Sequence, residues 1–376
     1  MIIMELSDKL KILSEDSRYD LACACGTLKN EHRRRGNNGR WLYPVPLQQG
    51  GYTVLLKTLL SNACVNDCKY CPLRAETDIR RCTIQPEEVA RIFMEYKRKG
   101  KVFGLFLSSA VIKDADYTMD KLNAAARILR YKYNFKGYIH LKIIPGSSNA
   151  AIEDSLSLAT AVSLNIETPD EKHYSLLSQK KDYAKDIIRP LKLLGSLTGK
   201  GMKYSGVKCT TQFIVGASSE TDSEIVNSMF ELYNNLNFKR VYFSAYQKGL
   251  GNSDIPGERI VFRNSIEPFL REHRLYQVDF LLRKYNFNRK DILFDECGNL
   301  RLDKDPKELW CETHPEFFPV KINSDDRNAL LRVPGIGPET ASLILKTRKE
   351  KRIRRLEDIG LKGKRLEKAK KYVIFE

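Results

Sequence analysis

Three cysteines within one short stretch restrict this chain more than any other feature of its sequence. The stretch from Ser61 to Arg74 reads SNACVNDCKYCPLR and places Cys64, Cys68 and Cys71 in a CxxxCxxC spacing. Thiolates are ligands for soft metals, and four ligands close a structural zinc site. Three thiolates on one loop instead suit an iron-sulfur cube in which one iron keeps an open position. The stretch therefore predicts a metal centre at which a further molecule can bind.

A zinc site that lacks one ligand is the alternative for these three cysteines. Zinc ligands usually come as CxxC pairs, and no fourth Cys or His stands at a suitable spacing, so the iron-sulfur interpretation is favoured. Cys23 and Cys25, one residue apart, are a candidate for a second metal site. Cysteines in that position are more often buried or idle thiols.

Cysteine usage and hydropathy indicate a cytoplasmic protein. Nine cysteines in 376 residues are too few for a secreted disulfide scaffold, and the odd number favours reduced thiols. No apolar run approaches the roughly 20 residues that a membrane helix needs. The first residues, MIIMELSDKLKIL, include acidic side chains and no cleavage-site pattern. We expect no membrane contact.

From residue 51 onwards, short apolar runs alternate with longer amphipathic segments. In Glu87–Lys99, the residues Val89, Ile92, Phe93 and Tyr96 recur at helical spacing and form one apolar face. Alternating strands and helices predict a parallel sheet with right-handed crossovers, and six such units suit an open, incomplete barrel. The predicted strands are 52–60, 102–109, 137–144, 161–168, 207–216 and 239–246. The other predicted helices are Met119–Tyr133, Asp182–Leu197 and Ser223–Leu236.

Polar residues and glycines follow the predicted strands at their carboxyl ends, where parallel folds place their ligand sites. The cysteine stretch follows the first strand, and the later ends carry Ser108–Ser109, Pro145–Gly146, Glu167–Thr168 and Gly216. We expect these positions to lie close together at one open end of the barrel. Lys142 either binds a cofactor carboxylate there or lies solvated on the rim.

The pattern divides the chain into four parts. Residues 1–50 are polar and irregular after a short helical start and form an N-terminal extension, and 51–250 form the partial barrel. Residues 251–323 are a helical extension and linker, because HPEFFPVKINSDD has linker-like prolines, and 324–376 form a separate domain. The arginines of Asn30–Trp41 either contact phosphate or belong to a solvated loop.

The charge of the chain implies an anionic partner, and nucleic acid is the first candidate. The net charge is +17 and the pI is about 9.3. From Lys321 to Glu376 there are 16 Lys and Arg against 8 Asp and Glu, a net charge of +8. About half of the excess charge therefore lies in this tail.

The tail contains LLRVPGIGPETASLILKTRKE, in which two helical patterns flank a glycine-rich turn. Pro338 suits the first position of the second helix. Such a turn exposes backbone N–H groups at a helix N-terminus, where they stabilise a phosphate oxygen without reading a base. The two helical patterns and their turn form a helical hairpin, and a second, weaker hairpin of this kind includes Leu361–Gly363. The alternative is a protein-binding helical tail with a solvated basic face. The candidate nucleic-acid residues are Gly335, Ile336, Gly337, Lys346, Lys362 and Lys364, with added attraction from Arg348, Lys349 and Arg365.

CVNDCKYC followed by alternating strands and helices resembles the radical S-adenosylmethionine (radical SAM) superfamily. The resemblance implies that the three cysteines hold a [4Fe-4S] cluster and that S-adenosyl-L-methionine (SAM) chelates the open iron. Reductive cleavage of SAM then yields a 5′-deoxyadenosyl radical, with flavodoxin or ferredoxin as electron donor. The glycines and the acidic residue usual in the family are replaced by Ser108, Ser109 and Ala110. The implied cofactor-binding residues are Tyr70, Ser108, Ser109, Asn165, Glu167 and Gly216, whereas Glu220 is expected to be structural.

The pairing of such a barrel with a hairpin tail resembles the family of DNA modification or repair radical SAM proteins. LLSNACVNDCKYCPLR, FIVGASSETD and LLRVPGIGP carry this resemblance. It implies an α/β fold: a partial (β/α)6 TIM-like barrel with a small all-α helix-hairpin-helix C-terminal domain. It also implies modification or repair of DNA, and it identifies no catalytic residue. The rival functions are RNA (tRNA) modification and a non-catalytic iron-sulfur redox sensor that binds DNA.

Overall fold

The computed structural model describes residues 4–20, 41–46 and 51–376. They form two compact units. The first unit comprises Met1–Glu220 and Glu231–Glu272, and the second comprises Thr221–Phe230 and His273–Glu376. Cys23, Cys25 and residues 30–40 of the arginine-rich segment lie outside the described residues.

A seven-stranded sheet forms the centre of the first unit and curls into a half-barrel. Its strands follow one another in chain order. The first pair is antiparallel and the five later pairs are parallel. The strands are β1 (Leu42–Pro46), β2 (Tyr52–Leu59), β3 (Gly104–Ser108), β4 (Ile139–Lys142), β5 (Ala161–Ser163), β6 (Lys208–Val215) and β7 (Arg240–Ala245).

Helices occupy most of the connections between the parallel strands. The helices of the described residues are α1 (Leu6–Asp16), α2 (Pro86–Arg98), α3 (Ala115–Arg127), α4 (Asn149–Leu158), α5 (Glu171–Ser175), α6 (Arg189–Thr198), α7 (Asp222–Asn234), α8 (Pro256–Arg259), α9 (Glu267–Lys284), α10 (Pro306–Thr313), α11 (Arg327–Arg332), α12 (Pro338–Glu350) and α13 (Gly363–Lys370), of which α2 to α7 lie between parallel strands. Within the described part of the chain, no helix combines the length and the apolar character needed to cross a membrane.

Helix α2 illustrates how the sequence dictates these elements. It begins at Pro86, and the backbone N–H of Gln85 donates to the Glu88 carboxylate at 2.8 Å in a capping box. Val89 and Phe93, one turn apart, are 2% and 0% exposed. Each contributes about 2 kcal/mol by leaving water. The predicted apolar face is thus the buried face.

All six predicted strands are present in the seven-stranded sheet, and its remaining strand, β1, was not predicted. β5 is shorter than expected, because the chain leaves the sheet after Ser163 and returns only in an isolated bridge at Glu167. The expectation that residues 1–50 are irregular after their first helix is wrong for β1, which reads LYPVP. Proline cannot donate a ladder hydrogen bond, but β1 lies at the edge of the sheet, where proline is tolerated.

The second unit has its own apolar core, and it is not entirely helical. Two short strands, β8 (Val320–Lys321) and β9 (Val373–Ile374), pair in parallel, so the predicted all-α character is wrong in this detail. Val320 and Ile322, from the segment interpreted as a linker, are buried in the core with Leu330 and Ile344. Their alternation around an exposed Lys321 is a strand pattern, but it is too short to identify in a sequence.

Candidate functional site

A cavity opens at the carboxyl ends of the parallel strands in the first unit. The three cysteines line it, together with Ser108 at the end of β3 and Lys142 at the end of β4. Its walls come from the cysteine loop and from the ends of several strands, so a small molecule bound in it would contact all of these elements.

The loop that carries the cysteines is held by one arginine. The Arg81 guanidinium donates to backbone carbonyls along the loop and just beyond it, at Asn62 (2.5 Å), Leu73 (2.8 Å), Arg74 (2.8 Å) and Thr77 (2.9 Å). These carbonyls have no strand or helix partners, because the loop is irregular. The Arg74 carbonyl also accepts from the Thr77 N–H (3.2 Å) and the Thr77 carbonyl from the Ile79 N–H (3.1 Å), so the role of Arg81 is to tie these points together and hold the loop at the cavity.

All three cysteines of the loop are free thiols with donors near the sulfur atoms. The backbone N–H of Asn66 donates to Cys64 Sγ, and that of Leu73 donates to Cys71 Sγ, both at 3.4 Å. Burial raises the pKa of the Cys71 thiol above its usual value. A metal that binds here must displace that proton, so loading releases protons.

The ammonium group of Lys181 lies against Cys68. Its Nζ donates to Cys68 Sγ at 3.1 Å. Although burial alone would lower the pKa of Lys181, the neighbouring Cys68 sulfur raises it, and the side chain stays cationic. Asp67, between the cysteines, accepts hydrogen bonds from Ser178 Oγ (2.6 Å) and the Gln179 N–H (2.8 Å). The cysteine loop itself thereby anchors the segment that carries Lys181.

A second polar cluster lies on another wall of the cavity. Lys142 Nζ donates to Asp20 Oδ1 at 3.0 Å and to Asn165 Oδ1. Glu167 is buried with φ +65°, a left-handed conformation that is rare outside glycine. Its Oε2 atom has no hydrogen-bond partner among the described residues. Backbone strain and an unpaired buried carboxylate oxygen are typical of a position that meets a ligand.

Five of the six predicted cofactor-binding residues line this cavity, and Gly216 does not. Tyr70, Ser108 and Ser109 line the cavity, as do Asn165 and Glu167. Gly216 is absent from the lining. Its backbone turns with φ +87°, and its N–H donates at 2.5 Å to the carboxylate of Glu220, a structural contact.

The predicted nucleic-acid residues lie in the second unit, at one turn and on two helices. Gly335 has φ +85°, the Ile336 side chain is 1% exposed in the core, and Gly337 is the N-cap of α12. Helix α12 begins at Pro338, as predicted, and no side chain of the described residues caps its first turn. Lys346, Lys362 and Lys364 are exposed.

Two of the arginines expected to attract nucleic acid instead hold the second unit together. Arg348 Nη1 donates to the carbonyl oxygens of Ile322 (3.2 Å) and Asp325 (2.6 Å). Arg365 Nε donates to the Gly335 carbonyl at 3.2 Å. Their charges remain part of the surface potential, but their positions are fixed by the fold.

Comparison with known proteins identifies the segment that carries the cavity. Residues 58–232 match the family model described as the Radical SAM superfamily. The chain contains a radical SAM domain. The matched segment includes all three loop cysteines and the strands β3 to β6. The radical SAM domain marks the protein as an enzyme.

Similar solved structures include methylornithine synthase (PylB), which is 15% identical in sequence with a TM-score of 0.46. The match covers 61% of this chain and 62% of the PylB chain. The FeFe-hydrogenase maturase HydG from Carboxydothermus hydrogenoformans is 16% identical with a TM-score of 0.45. The match covers 60% of this chain and 51% of the HydG chain. Another HydG structure is 13% identical with a TM-score of 0.46, and the match covers 84% of this chain and 80% of that HydG chain. The match therefore spans less than two thirds of the first two proteins. No curated protein matches the sequence.

The radical SAM superfamily typically uses a [4Fe-4S] cluster and SAM, and the cavity fits both groups. Three free thiols with N–H donors at two sulfur atoms are a suitable donor set for an iron-sulfur cluster. The unpaired Glu167 Oε2 is available for a hydroxyl donor. Sequence reasoning missed Lys181, Asp20 and Arg81, because nothing in a single sequence distinguishes them from other surface charges.

Proposed function

We propose that this radical SAM enzyme modifies or repairs DNA. The observation that carries the proposal is the turn at residues 334–337, an uncapped helix N-terminus within the most basic part of the chain. Unpaired N–H groups and the helix dipole favour an anion at such a position. In the same chain, the cysteine-lined cavity supplies radical chemistry.

In this proposal Cys64, Cys68 and Cys71 hold the [4Fe-4S] cluster, and SAM occupies the cavity beside it. When bound and reduced by a donor such as flavodoxin or ferredoxin, the cluster supplies the electron that cleaves SAM to methionine and a 5′-deoxyadenosyl radical. The protein orients SAM and excludes water. The Tyr70 ring offers a flat surface to the adenine, and Glu167 accepts hydrogen bonds from ribose hydroxyls.

Lys181 is expected to set the reduction potential of the cluster. A cation that donates to a cluster thiolate favours the reduced, more negative state. One hydrogen bond to a charged group is worth about 1.5 kcal/mol, roughly 60 mV for a one-electron couple. Lys181→Met should therefore lower the potential by about that amount in a redox titration followed by electron paramagnetic resonance. The neighbouring Lys180→Met is the control, because Lys180 is exposed and donates to the Val65 carbonyl. Equal potentials in the two variants would contradict this role.

Glu167 is expected to bind SAM, and its ionisation is expected to lower the free energy of unfolding of the protein. Burial raises the pKa of its carboxyl group, so the folded protein holds this proton more tightly than the unfolded chain does. Ionisation of Glu167 therefore reduces stability as the pH rises past the unfolded-state pKa. Glu167→Gln cannot ionise, so its melting temperature at neutral pH should be higher than that of the wild type. Its affinity for SAM should fall about tenfold, because a neutral amide accepts weaker hydrogen bonds than a carboxylate.

The test of Glu167 combines thermal unfolding of the metal-free protein with equilibrium dialysis of SAM against reconstituted protein. Glu171→Gln, at an exposed position nearby, is the control and should change neither quantity. A Glu167→Gln variant with a lower melting temperature and unchanged SAM affinity would contradict the assignment.

The hairpin makes DNA recognition independent of base sequence. Gly337 and the first turn of α12 provide backbone donors for phosphate, and the exposed Lys346, Lys362 and Lys364 add attraction. A base within a duplex cannot reach a cavity without leaving the stack. Turnover is therefore expected to be higher on DNA with unpaired or damaged bases than on intact duplex.

Competition between nucleic acids tests the proposal. Labelled duplex DNA is displaced by unlabelled duplex or by folded tRNA at a fixed, stated salt concentration, since affinity depends steeply on salt. DNA modification or repair predicts the stronger competition from DNA. If tRNA competes far better, RNA modification replaces the proposal. If DNA binds but the reduced enzyme never cleaves SAM, the redox-sensor function replaces it.

A further inference from the structure

A buried lysine lies beneath the hairpin turn of the second unit. Lys307, at the start of α10, is only 7% exposed. Its Nζ donates to the carbonyl oxygen of Ile336 at 2.7 Å and lies 4.6 Å from the centre of the Tyr285 ring. Lysine is almost never buried this far without a partner, and here the partner is the turn itself.

The direction of the Ile336 carbonyl fixes the direction of the next N–H group. The peptide bond between Ile336 and Gly337 is trans, since the only cis bond in the described residues joins Phe318 to Pro319. In a planar trans peptide, the C=O and the N–H point in opposite directions. The carbonyl of Ile336 points at the buried ammonium, so the N–H of Gly337 points away from it.

That N–H stands at the start of a helix with unused donors. The hydrogen bonds of α12 begin with the Ala341 N–H, which donates to the Gly337 carbonyl at 2.8 Å. Within the described part of the chain no side chain caps the first turn, and the helix is 13 residues long. A Gly337 N–H that points outward therefore adds one donor to those of the first turn.

We infer that Lys307 is a positioning residue for nucleic-acid binding: its ammonium holds the Ile336 carbonyl inward and thereby directs the Gly337 N–H toward a backbone phosphate. The inference rests on the proposed function of the hairpin. It adds a residue from α10, outside the segment in which the hairpin motif is found. Lys307 also places a positive charge behind the phosphate, where poor solvation strengthens the attraction.

The charge state of Lys307 predicts how the affinity for DNA depends on pH. Burial lowers its pKa to about 7. Arg332 and Arg365 lower it further, whereas Cys311 and Asp305 raise it. A bound phosphate raises the pKa of a nearby ammonium, so binding takes up a proton when Lys307 is partly neutral. The affinity for DNA should therefore be highest below the pKa of the free protein and fall as the pH rises through the pKa of the complex.

The experiment measures the affinity of the full-length protein for a labelled duplex oligonucleotide between about pH 6 and pH 8 at constant salt. Lys307→Met should bind about tenfold more weakly than wild type at the acidic end, and its affinity should lose the part of the pH dependence due to Lys307. Lys304→Met is the matched control, because Lys304 lies nearby but is paired with Glu312 at 2.6 Å. It should keep the wild-type affinity and pH profile.

Circular dichroism checks that each variant is folded. If Lys307→Met is unfolded, Lys307→Gln provides the same test, because glutamine cannot titrate. Affinity and pH profile equal to wild type in a folded Lys307 variant would overturn this inference and leave the proposed function intact. If the wild-type protein binds no duplex at low salt, both the proposed function and this inference are overturned.

Discussion

Replacing any one of Cys64, Cys68 and Cys71 with alanine is expected to abolish the iron-sulfur cluster. Each thiol lies on the loop held by Arg81 at the cavity, and two ligands do not retain a cluster that needs three. After anaerobic reconstitution, iron content, visible absorbance and SAM cleavage should all fall to background. The effect should be similar for all three positions, because in the proposed cluster each cysteine would be the ligand of one iron.

Cys297→Ala is the matched control for these variants. Cys297 is exposed and lies in the second unit, so its loss should leave iron content and SAM cleavage unchanged. A Cys68→Ala protein that retains both the absorbance and the cleavage activity would contradict the assignment of the loop. Loss of the absorbance in Cys297→Ala as well would show that the measurement reports general damage by oxidation.

Gly335→Ala is expected to destabilise the second unit more than any other glycine substitution in its tail. Gly335 has φ +85°, and an added Cβ would overlap the carbonyl oxygen of Arg365. The left-handed conformation costs an alanine about 1 kcal/mol, and the overlap adds about 2 kcal/mol or more, because backbone atoms cannot move aside cheaply. Duplex DNA affinity should fall together with the free energy of unfolding of the second unit.

Gly360→Ala separates backbone strain from overlap. Gly360 has φ +78°, and nothing lies within 4 Å of an added Cβ. It should lose only the roughly 1 kcal/mol of conformational strain. Denaturant unfolding measures both variants, and cluster loading of the first unit should be unchanged. Equal losses at the two positions would contradict the close approach of Gly335 to Arg365.

The parallel part of the sheet could be predicted because its residues repeat a simple pattern. Each of β2 to β7 is an apolar run between turn residues, and helices such as α2 bury one regularly spaced face. β1 could not be predicted, since its two prolines favour a loop and only pairing with β2 makes it a strand. β8 and β9 are two residues long, too short for any periodicity to be visible.

The site could be predicted where spacing carries the information. CxxxCxxC identified the cysteine loop, the strand-end rule placed Glu167 in the same cavity, and the family resemblance added Asn165. Lys181 and Asp20 were not predicted, since each reaches the cavity through contacts with residues more than 100 positions away in the sequence. Gly216 was predicted to bind the cofactor from its strand motif; it is not among the lining residues, and its N–H donates to Glu220.

Anaerobic SAM cleavage by the reconstituted wild-type enzyme tests the central claim most directly. The protein is loaded with iron and sulfide, reduced with dithionite and incubated with SAM, and the products are separated by chromatography. We expect 5′-deoxyadenosine and methionine in amounts that depend on the reductant and on the three cysteines, as a radical SAM enzyme requires. An intact, reducible cluster that yields neither product would contradict it.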